Sequence, residues 1–310
     1  MPILELCAGY GGLGLAVEAL TGEHVSVVAE TDPAASKVLA ARFPDVPNIG
    51  DITAYDWREL RGAEWDITAG FPCQDISTAG GPGGGINGKR SGIWKNVAAA
   101  VRVLRPRRLF LENVSVIRRR GLDVVLADLA TLGYDARWGS LRASEVGAPH
   151  PRDRWFLVAH PHGAGLEIGG AQPQGPKWEA LGRSGPLAED THCEPAPERG
   201  GTAAGEEESG RTWSDLGGRS GLSPAVWWGD YLPAIRRWED ITGHPAPAPT
   251  EVGPRGGRRL TARFPEWMQG LPDGWITSVD GLTRADAIRL AGNGVVPQQA
   301  YEAFRRLALD

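Results

Sequence analysis

The sequence predicts an α/β fold: a doubly wound, mostly parallel sheet carrying a smaller, irregular second domain. Three observations lead to this. Over the first 160 residues short apolar runs alternate with amphipathic stretches, the rhythm of parallel strands joined by crossover helices. The first apolar run ends in a glycine-rich turn, Cys7-Ala8-Gly9-Tyr10-Gly11-Gly12, that leads into a helical pattern. The rhythm then breaks at about His160, where a stretch rich in Gly, Pro, Glu and Ser begins.

Taken in order, strands are expected at residues 3–7, 25–29, 67–69, 108–112 and 155–159, and helices at 13–20, 34–42, 93–104 and 123–132. Residues 163–223 show little apolar periodicity and are expected to form an irregular insertion. Order returns over 224–242, where Trp227, Trp228, Tyr231 and Trp238 stand beside Arg236 and Arg237. A Pro-rich link over 244–254 follows, and the chain closes with the loop Ala291-Gly292-Asn293-Gly294-Val295 and a short amphipathic helix over 298–309. The expected division is 1–158 for the first domain, 159–284 for the second, and 285–310 for a segment returning to the first.

A length of 310 residues is enough to bury a full core. The 41% hydrophobic and 23% charged content is that of a water-soluble globular protein. No apolar run approaches the roughly 20 residues that span a bilayer, and no secretory pattern opens the sequence, so a cytoplasmic protein is expected. Cys7, Cys73 and Cys193 are too few for a disulfide framework and wrongly spaced for zinc, so no metal site is expected. The net charge of −5 excludes a protein that coats nucleic acid indiscriminately. It still allows a local grip on a duplex, because the arginines are clumped, at 118–120, 152 and 154, 236 and 237, and 255, 258 and 259 among others.

The motifs carry the chemistry. Glycines at the end of a first strand let the backbone approach a ligand, although the spacing here is not the dinucleotide G-x-G-x-x-G. Glu30 closes the second strand, where a carboxylate can accept from both ribose hydroxyls. Asp51 could take an adenine amino group. With nothing basic placed to neutralise phosphate, these acids suit S-adenosylmethionine better than NAD. Cys73, in Phe71-Pro72-Cys73-Gln74, follows a strand and precedes a glycine-crowded loop, a fitting place for a nucleophile whose loop closes over its substrate. Glu112, ahead of Asn113 and Val114, ends an apolar strand. Burial there would favour its neutral form and let it donate a proton. Arg152 and Arg154 alternate into the next strand and are expected to point the same way, toward a substrate oxygen or the DNA backbone.

In this order the motifs strongly resemble the DNA (cytosine-5) methyltransferases, bacterial or phage type, over about residues 3–158 and 258–307. The resemblance implies the S-adenosylmethionine-dependent methyltransferase fold with a target-recognition domain at 159–284. Cys73 would add to carbon 6 of a flipped-out cytosine while Glu112 protonates or hydrogen-bonds ring nitrogen 3. Carbon 5 would then take the methyl group from S-adenosylmethionine. Flipping is required because the ring carbons are inaccessible inside the stack. Arg154 would hold the exocyclic oxygen, Arg152 would help place Cys73 and its loop, and Asn113 would position the active-site backbone. Glu30 and Thr31 would lie at the ribose, and Asp51 and Ile52 at the adenine. Cys7, Ala8, Gly9, Tyr10, Gly11, Gly12, Pro72, Ile93 and Asn293 would surround the rest of the cofactor. Gln74, Ser77, Arg90, Arg236 and Arg237 would meet DNA. The acidic run Glu206-Glu207-Glu208 sets residues 186–210 apart from the base-reading surface, since it would repel phosphates.

The implied partner is double-stranded DNA, met by a monomer, with a cognate restriction endonuclease as a further partner and the host-cell cytoplasm as the location if phage-encoded. The family usually has Phe where Cys7 stands, often an aromatic where Thr31 stands, and Gln where His150 stands. An RNA cytosine-5 methyltransferase on the same fold is the alternative. The transfer-RNA enzymes carry a Cys-Phe-Thr triplet that is absent here. A nicotinamide oxidoreductase would leave the Cys73 and Glu112 motifs unexplained, and a non-catalytic DNA-binding protein would not need Cys73.

Overall fold

The computed structural model describes residues 1–72, 92–165 and 228–309. Cys73, Gln74, Ser77, Arg90, Cys193 and residues 166–223 of the expected insertion lie outside the described residues. Strands β1 (Pro2–Leu6), β2 (His24–Ala29), β3 (Asp66–Gly70), β4 (Arg108–Val114), β5 (Tyr134–Arg142) and β6 (Asp153–Pro161) form one sheet in the order β2-β1-β3-β4-β6-β5. The first four are parallel, and β6 runs antiparallel to both β4 and β5.

Alternation along each strand builds two cores. Leu4, Leu6, Ile67, Ala69, Leu109 and Leu111 point to one face, where α3 (Ile93–Leu104) and α4 (Leu122–Thr131) cover them with Trp94, Val97, Val101, Val125 and Leu129. Ile3, Val25, Val28, Phe110, Phe156 and Val158 point to the other. There α1 (Gly12–Thr21) and the C-terminal helix supply Leu13, Val17, Ala300 and Phe304. Near-continuous apolar strands are the expected consequence of covering a sheet on both faces. The buried Asp66 and Arg108 pair across β3 and β4 at matching register positions and pin that alignment (Arg108 Nε to Asp66 Oδ1, 3.0 Å).

Helix α2 (Pro33–Arg42) is capped by Asp32, which accepts from Ala34 and Ala35 at 3.0 and 2.9 Å and is followed by Pro33 at the first helical position. Downstream come α5 (Leu232–Thr242), the strands β7 (Thr250–Val252) and β8 (Arg258–Leu260), α6 (Arg263–Met268), α7 (Arg284–Asn293) and α8 (Pro297–Leu309). Ile235 and Trp238 of α5 are buried against Ala143, Ala148, Trp267 and Val296. Leu271, Ile276 and α7 pack on Tyr10 and α2. Glu266, itself buried, organises that return by accepting from the backbone amides of Gly274, Ile276 and Thr277 at 2.6–2.8 Å.

Two expectations need correction. β5 is absent from the sequence reading because it is an edge strand whose burial pattern does not alternate cleanly. Part of the expected Pro-rich link is the strand β7, paired with β8 in a small ribbon whose residues are too polar to signal a strand.

Glu5, in the middle of β1, is wholly buried and accepts from the amide of Gly14 at 2.8 Å, while its Oε2 has no partner. Burial pushes its pKa up to about 8. A carboxyl whose folded pKa lies above its unfolded value of 4.5 favours folding fully only below that value. Stability therefore falls as pH rises from about 4.5 to about 8 and then levels off. Glu5→Gln, which keeps the shape of the protonated acid, should remove this component. Chemical denaturation across pH 4–9 is expected to show the variant gaining on the parent as pH rises, and parallel curves would refute the assignment.

Candidate active site

The order β2-β1-β3 makes the gap between β1 and β3 a topological switch point, the place where open α/β sheets bind ligands beyond the strands' carboxyl ends. The turn leaving β1 is shaped by left-handed residues, with Cys7 at φ 54°, Gly9 at 57° and Gly11 at 87°. A side chain at Gly9 would meet nothing within 4 Å, so this part of the turn faces open space. Gly12, by contrast, is packed against Tyr10 and the carbonyl of Val295 and has no room for a Cβ.

Glu30, just past β2, accepts from the amide of Gly9 at 2.7 Å through one oxygen and from that of Asp32 at 2.7 Å through the other. Each oxygen keeps a lone pair for a further donor. Asp51 is exposed and accepts from Thr53 at 2.8 Å, which holds its carboxyl below the usual range. Burial, then Glu30 and Asp51, push the Cys7 thiol up to about 12. The two acids and Cys7 therefore share one pocket edge, with the buried Ile52 nearby in the same core. Among the described residues no basic side chain pairs with Glu30 or Asp51. Such a set of acceptors fits a ribose diol and an adenine amine and does not fit phosphates. Thr31 and Asn293 are exposed, Pro72 is exposed, and Ile93 is half-buried at the start of α3.

The second half of the site lies where β3 and β4 end. Glu112 pairs in register with Gly70, and three residues after Gly70 comes Cys73. Asn113 is buried and donates to the carbonyl of Phe71 at 3.0 Å, while its own oxygen accepts from Val114 at 2.9 Å. Phe71 also packs on Trp94, ring centres 5.4 Å apart. Trp94 is tied by its indole to Asp128 at 2.8 Å. The backbone entering Pro72-Cys73 is thus held from both sides.

Because β6 is antiparallel, its first residues lie beside the last residues of β4. Arg154 is opposite Val114, on the same face as Glu112, and its Nε lies 3.0 Å from Glu112 Oε1. Burial raises the Glu112 pKa, and Arg154 and then Arg152 pull it back down. Both arginines lie within electrostatic range of Glu112, but they take different partners. Arg152 precedes β6 with φ at 27°, and its guanidinium donates to the carbonyls of Gly292 (3.0 Å) and Gly294. Its own carbonyl accepts from the buried Gln299 at 2.8 Å, and Gln299 also donates to Leu141. Tyr10, also buried, donates to Val295 at 2.6 Å. The segment around Asn293 is held directly by Arg152 and Tyr10, with Gln299 bracing Arg152; sequence reasoning placed Tyr10 at the cofactor but missed this use of it, of Arg152 and of Gln299, because each depends on contacts distant in sequence.

Arg237 donates to the carbonyl of Gly147 at 3.2 Å, and Arg236 pairs with Glu239 at 2.8 Å on its own helix. His150 meets the carbonyl of Met268 at 2.8 Å, away from Glu112.

A switch-point cleft, a carboxylate past β2 and a half-buried acid–arginine pair at the strand ends together define a doubly wound α/β fold with its candidate site at one edge of the sheet. Residues 1–182 match the C-5 cytosine-specific DNA methylase family, and the chain belongs to that family. It is 34% identical over 157 residues to the Type II methyltransferase M.CviJI of Paramecium bursaria Chlorella virus IL3A, covering 50% of this chain and 42% of that protein. It is also 34% identical over 170 residues to M.HpaII of Haemophilus parainfluenzae, covering 53% and 47%. The match thus spans about half the length of these relatives or less. Among solved structures, S. pombe Dnmt2 methyltransferase aligns with a TM-score of 0.60 at 16% identity, covering 100% of this chain and 98% of that one. A putative DNA modification methyltransferase from an E. coli prophage aligns at 0.58 and 19% identity over 100% of both chains. At these identities the structural likeness speaks to the fold. No helix among the described residues is long and apolar enough to cross a membrane.

With its pKa near 12, Cys7 at pH 8 would be thiolate only to about one part in ten thousand. Iodoacetamide at that pH should leave Cys7 unlabelled while a denatured sample labels it fully, as read by peptide mass spectrometry. Labelling of native Cys7 at the rate of a free cysteine would contradict the raised pKa of this half-buried thiol.

Proposed function

We propose that this protein is a DNA cytosine-5 methyltransferase acting on double-stranded DNA, with Cys73 as nucleophile and S-adenosylmethionine as cofactor. The observation that carries the reading is the buried Glu112–Arg154 pair, aligned by register with the strand end that leads into Cys73. Membership of the cytosine-specific family supports it.

Glu30 would hold the ribose, Asp51 and Ile52 the adenine, and the Ala8–Gly12 backbone and the Asn293 loop the methionine portion. When bound, S-adenosylmethionine supplies an electrophilic methyl group. The thiolate of Cys73 adds to carbon 6 of the flipped-out cytosine. Glu112, whose neutral form burial favours, donates to ring nitrogen 3 and stabilises the charge that develops there. Carbon 5 thereby becomes nucleophilic. After its substitution, loss of the carbon 5 proton restores the double bond and expels the thiolate. Arg154 would steady Glu112 and the exocyclic oxygen, while Asn113 fixes the backbone that carries the nucleophile. Arg152 would act on the cofactor side, by holding the carbonyls on either side of Asn293.

Cys73→Ser should abolish methyl transfer, measured by bisulfite sequencing of treated duplex DNA, while DNA affinity survives. Full methylation by that variant would sink the assignment. Glu112→Gln keeps the hydrogen-bonding shape without the titratable acid, so turnover should fall by roughly two orders of magnitude with cofactor affinity, read by calorimetry, nearly unchanged. Loss of cofactor binding at an unchanged rate would show that Glu112 serves the other pocket. Transfer to an RNA duplex and not to DNA would favour the RNA alternative.

A further inference from the structure

Glu30 and Asp51 stand on different segments of the chain. Glu30 directly follows β2, at the edge of the sheet, and Asp51 lies in the connection between β2 and β3. Backbone bonds bring the two segments alongside each other. Val28 donates to the carbonyl of Pro47 at 3.0 Å, and Ile49 donates to that of Val28 at 2.8 Å. These bonds stop short of both carboxylates.

Asn48 makes the remaining connection. Its Oδ1 accepts from the amides of Glu30 and Gly50, each at 3.0 Å. Its Nδ2 donates to the carbonyl of Glu30 at 3.1 Å and to Ser36 Oγ, on α2, at 3.2 Å. A side-chain amide offers two donor and two acceptor positions, and here all are used. The partners force its orientation. Backbone amides can only donate and the Glu30 carbonyl can only accept, so a flipped amide would set like against like. Glu30 is thus held at its backbone by Asn48, and at its carboxylate by the amides of Gly9 and Asp32.

Gly50 completes the link to Asp51. Its φ of 71° lies in the left-handed region, which turns the chain back so that its amide reaches the Asn48 side chain. A Cβ there would meet nothing within 4 Å, so the backbone angle and not crowding calls for glycine. Asp51 and the buried Ile52 follow directly. Asn48 is itself exposed and belongs to none of the apolar cores. What its four bonds deliver is the placement of the two segments.

Building on the cofactor reading proposed above, we infer that Asn48 is a positioning residue for the nucleoside half of S-adenosylmethionine. It sets the spacing between Glu30 and Asp51, so that one ligand meets both acceptors at once. A ribose and its base are joined by a single bond, and their hydroxyls and amine present donors at a nearly fixed separation. Acceptors on separately moving segments would have to be ordered during binding. A shared brace removes that ordering cost in advance.

The test uses the full-length protein and three ligands, each titrated by calorimetry. They are S-adenosylhomocysteine, its 2′-deoxyribose counterpart, which lacks a hydroxyl for Glu30, and its inosine counterpart, which lacks the amine for Asp51. In the parent, either replacement should cost about tenfold in affinity. In Asn48→Ala, S-adenosylhomocysteine should bind about tenfold more weakly, and both discriminations should shrink together to about threefold or less. Asp51→Asn should shrink the base discrimination alone. Affinity of Asn48→Ala for duplex DNA should match the parent. If Asn48→Ala fails to fold, Asn48→Asp decides. It keeps the acceptor for both amides and loses both donors, and the same joint shrinkage is expected. Equal weakening of all three ligands with unchanged ratios would overturn the inference, because Asn48 would then serve the fold alone. So would loss of one discrimination with the other intact. A parent that binds none of the three, or fails to tell them apart, would instead refute the cofactor reading on which the inference rests.

Discussion

The antiparallel pairing of β4 with β6 is the contact on which the catalytic half of the site depends. Four parallel strands bring their carboxyl ends to one edge of the sheet, and β6, running the other way, brings its amino end to that same edge. Arg154 at the start of β6 therefore meets Glu112 near the end of β4, although 42 residues separate them. A parallel β6 would have carried Arg154 to the far side of the sheet. The register matters as much as the direction, because a slip of one residue would turn Arg154 to the opposite face.

The Glu112–Arg154 pair is balanced between two opposing effects. Burial favours the neutral carboxyl and the neighbouring guanidinium the charged one, with burial the larger. A largely desolvated acid beside an arginine can hold or release a proton with small changes in its surroundings, which suits the proton-donating role proposed for Glu112. Removing either partner leaves the other buried without compensation, so both are expected to be costly to replace.

On the cofactor side, rigidity comes from the return of the chain. Tyr10, Arg152 and Gln299 fasten the carbonyls and backbone around Asn293 to the glycine turn and to the start of β6. Arg152 thus connects the strand that carries Arg154 with the segment around Asn293, so that the two halves of the candidate site share one support. Glu266 and Trp275, whose indole donates to the carbonyl of Tyr10 at 2.9 Å, extend the same bracing outward.

The sequence by itself determined the parallel core and the strand ends at which the proposed chemistry is placed. Apolar alternation and strand-end motifs are local patterns, and Glu30, Glu112 and Asn113 fall at or just past the ends of the strands so read, whereas Asp51 lies in the connection between β2 and β3. Four features were decided only by the tertiary structure: the edge strand β5, the β7–β8 ribbon, the different partners taken by Arg152 and Arg154, and the support given by Tyr10 and Gln299. β5 and the ribbon are half-exposed and polar, so they leave no periodic signal. Arg152 stands just ahead of β6 with a positive φ, and its carbonyl partners at Gly292 and Gly294 are 140 or more residues away in the chain. Strand direction, register and hydrogen bonds between distant residues depend on which segments meet, and that information does not reside in any short stretch of the chain.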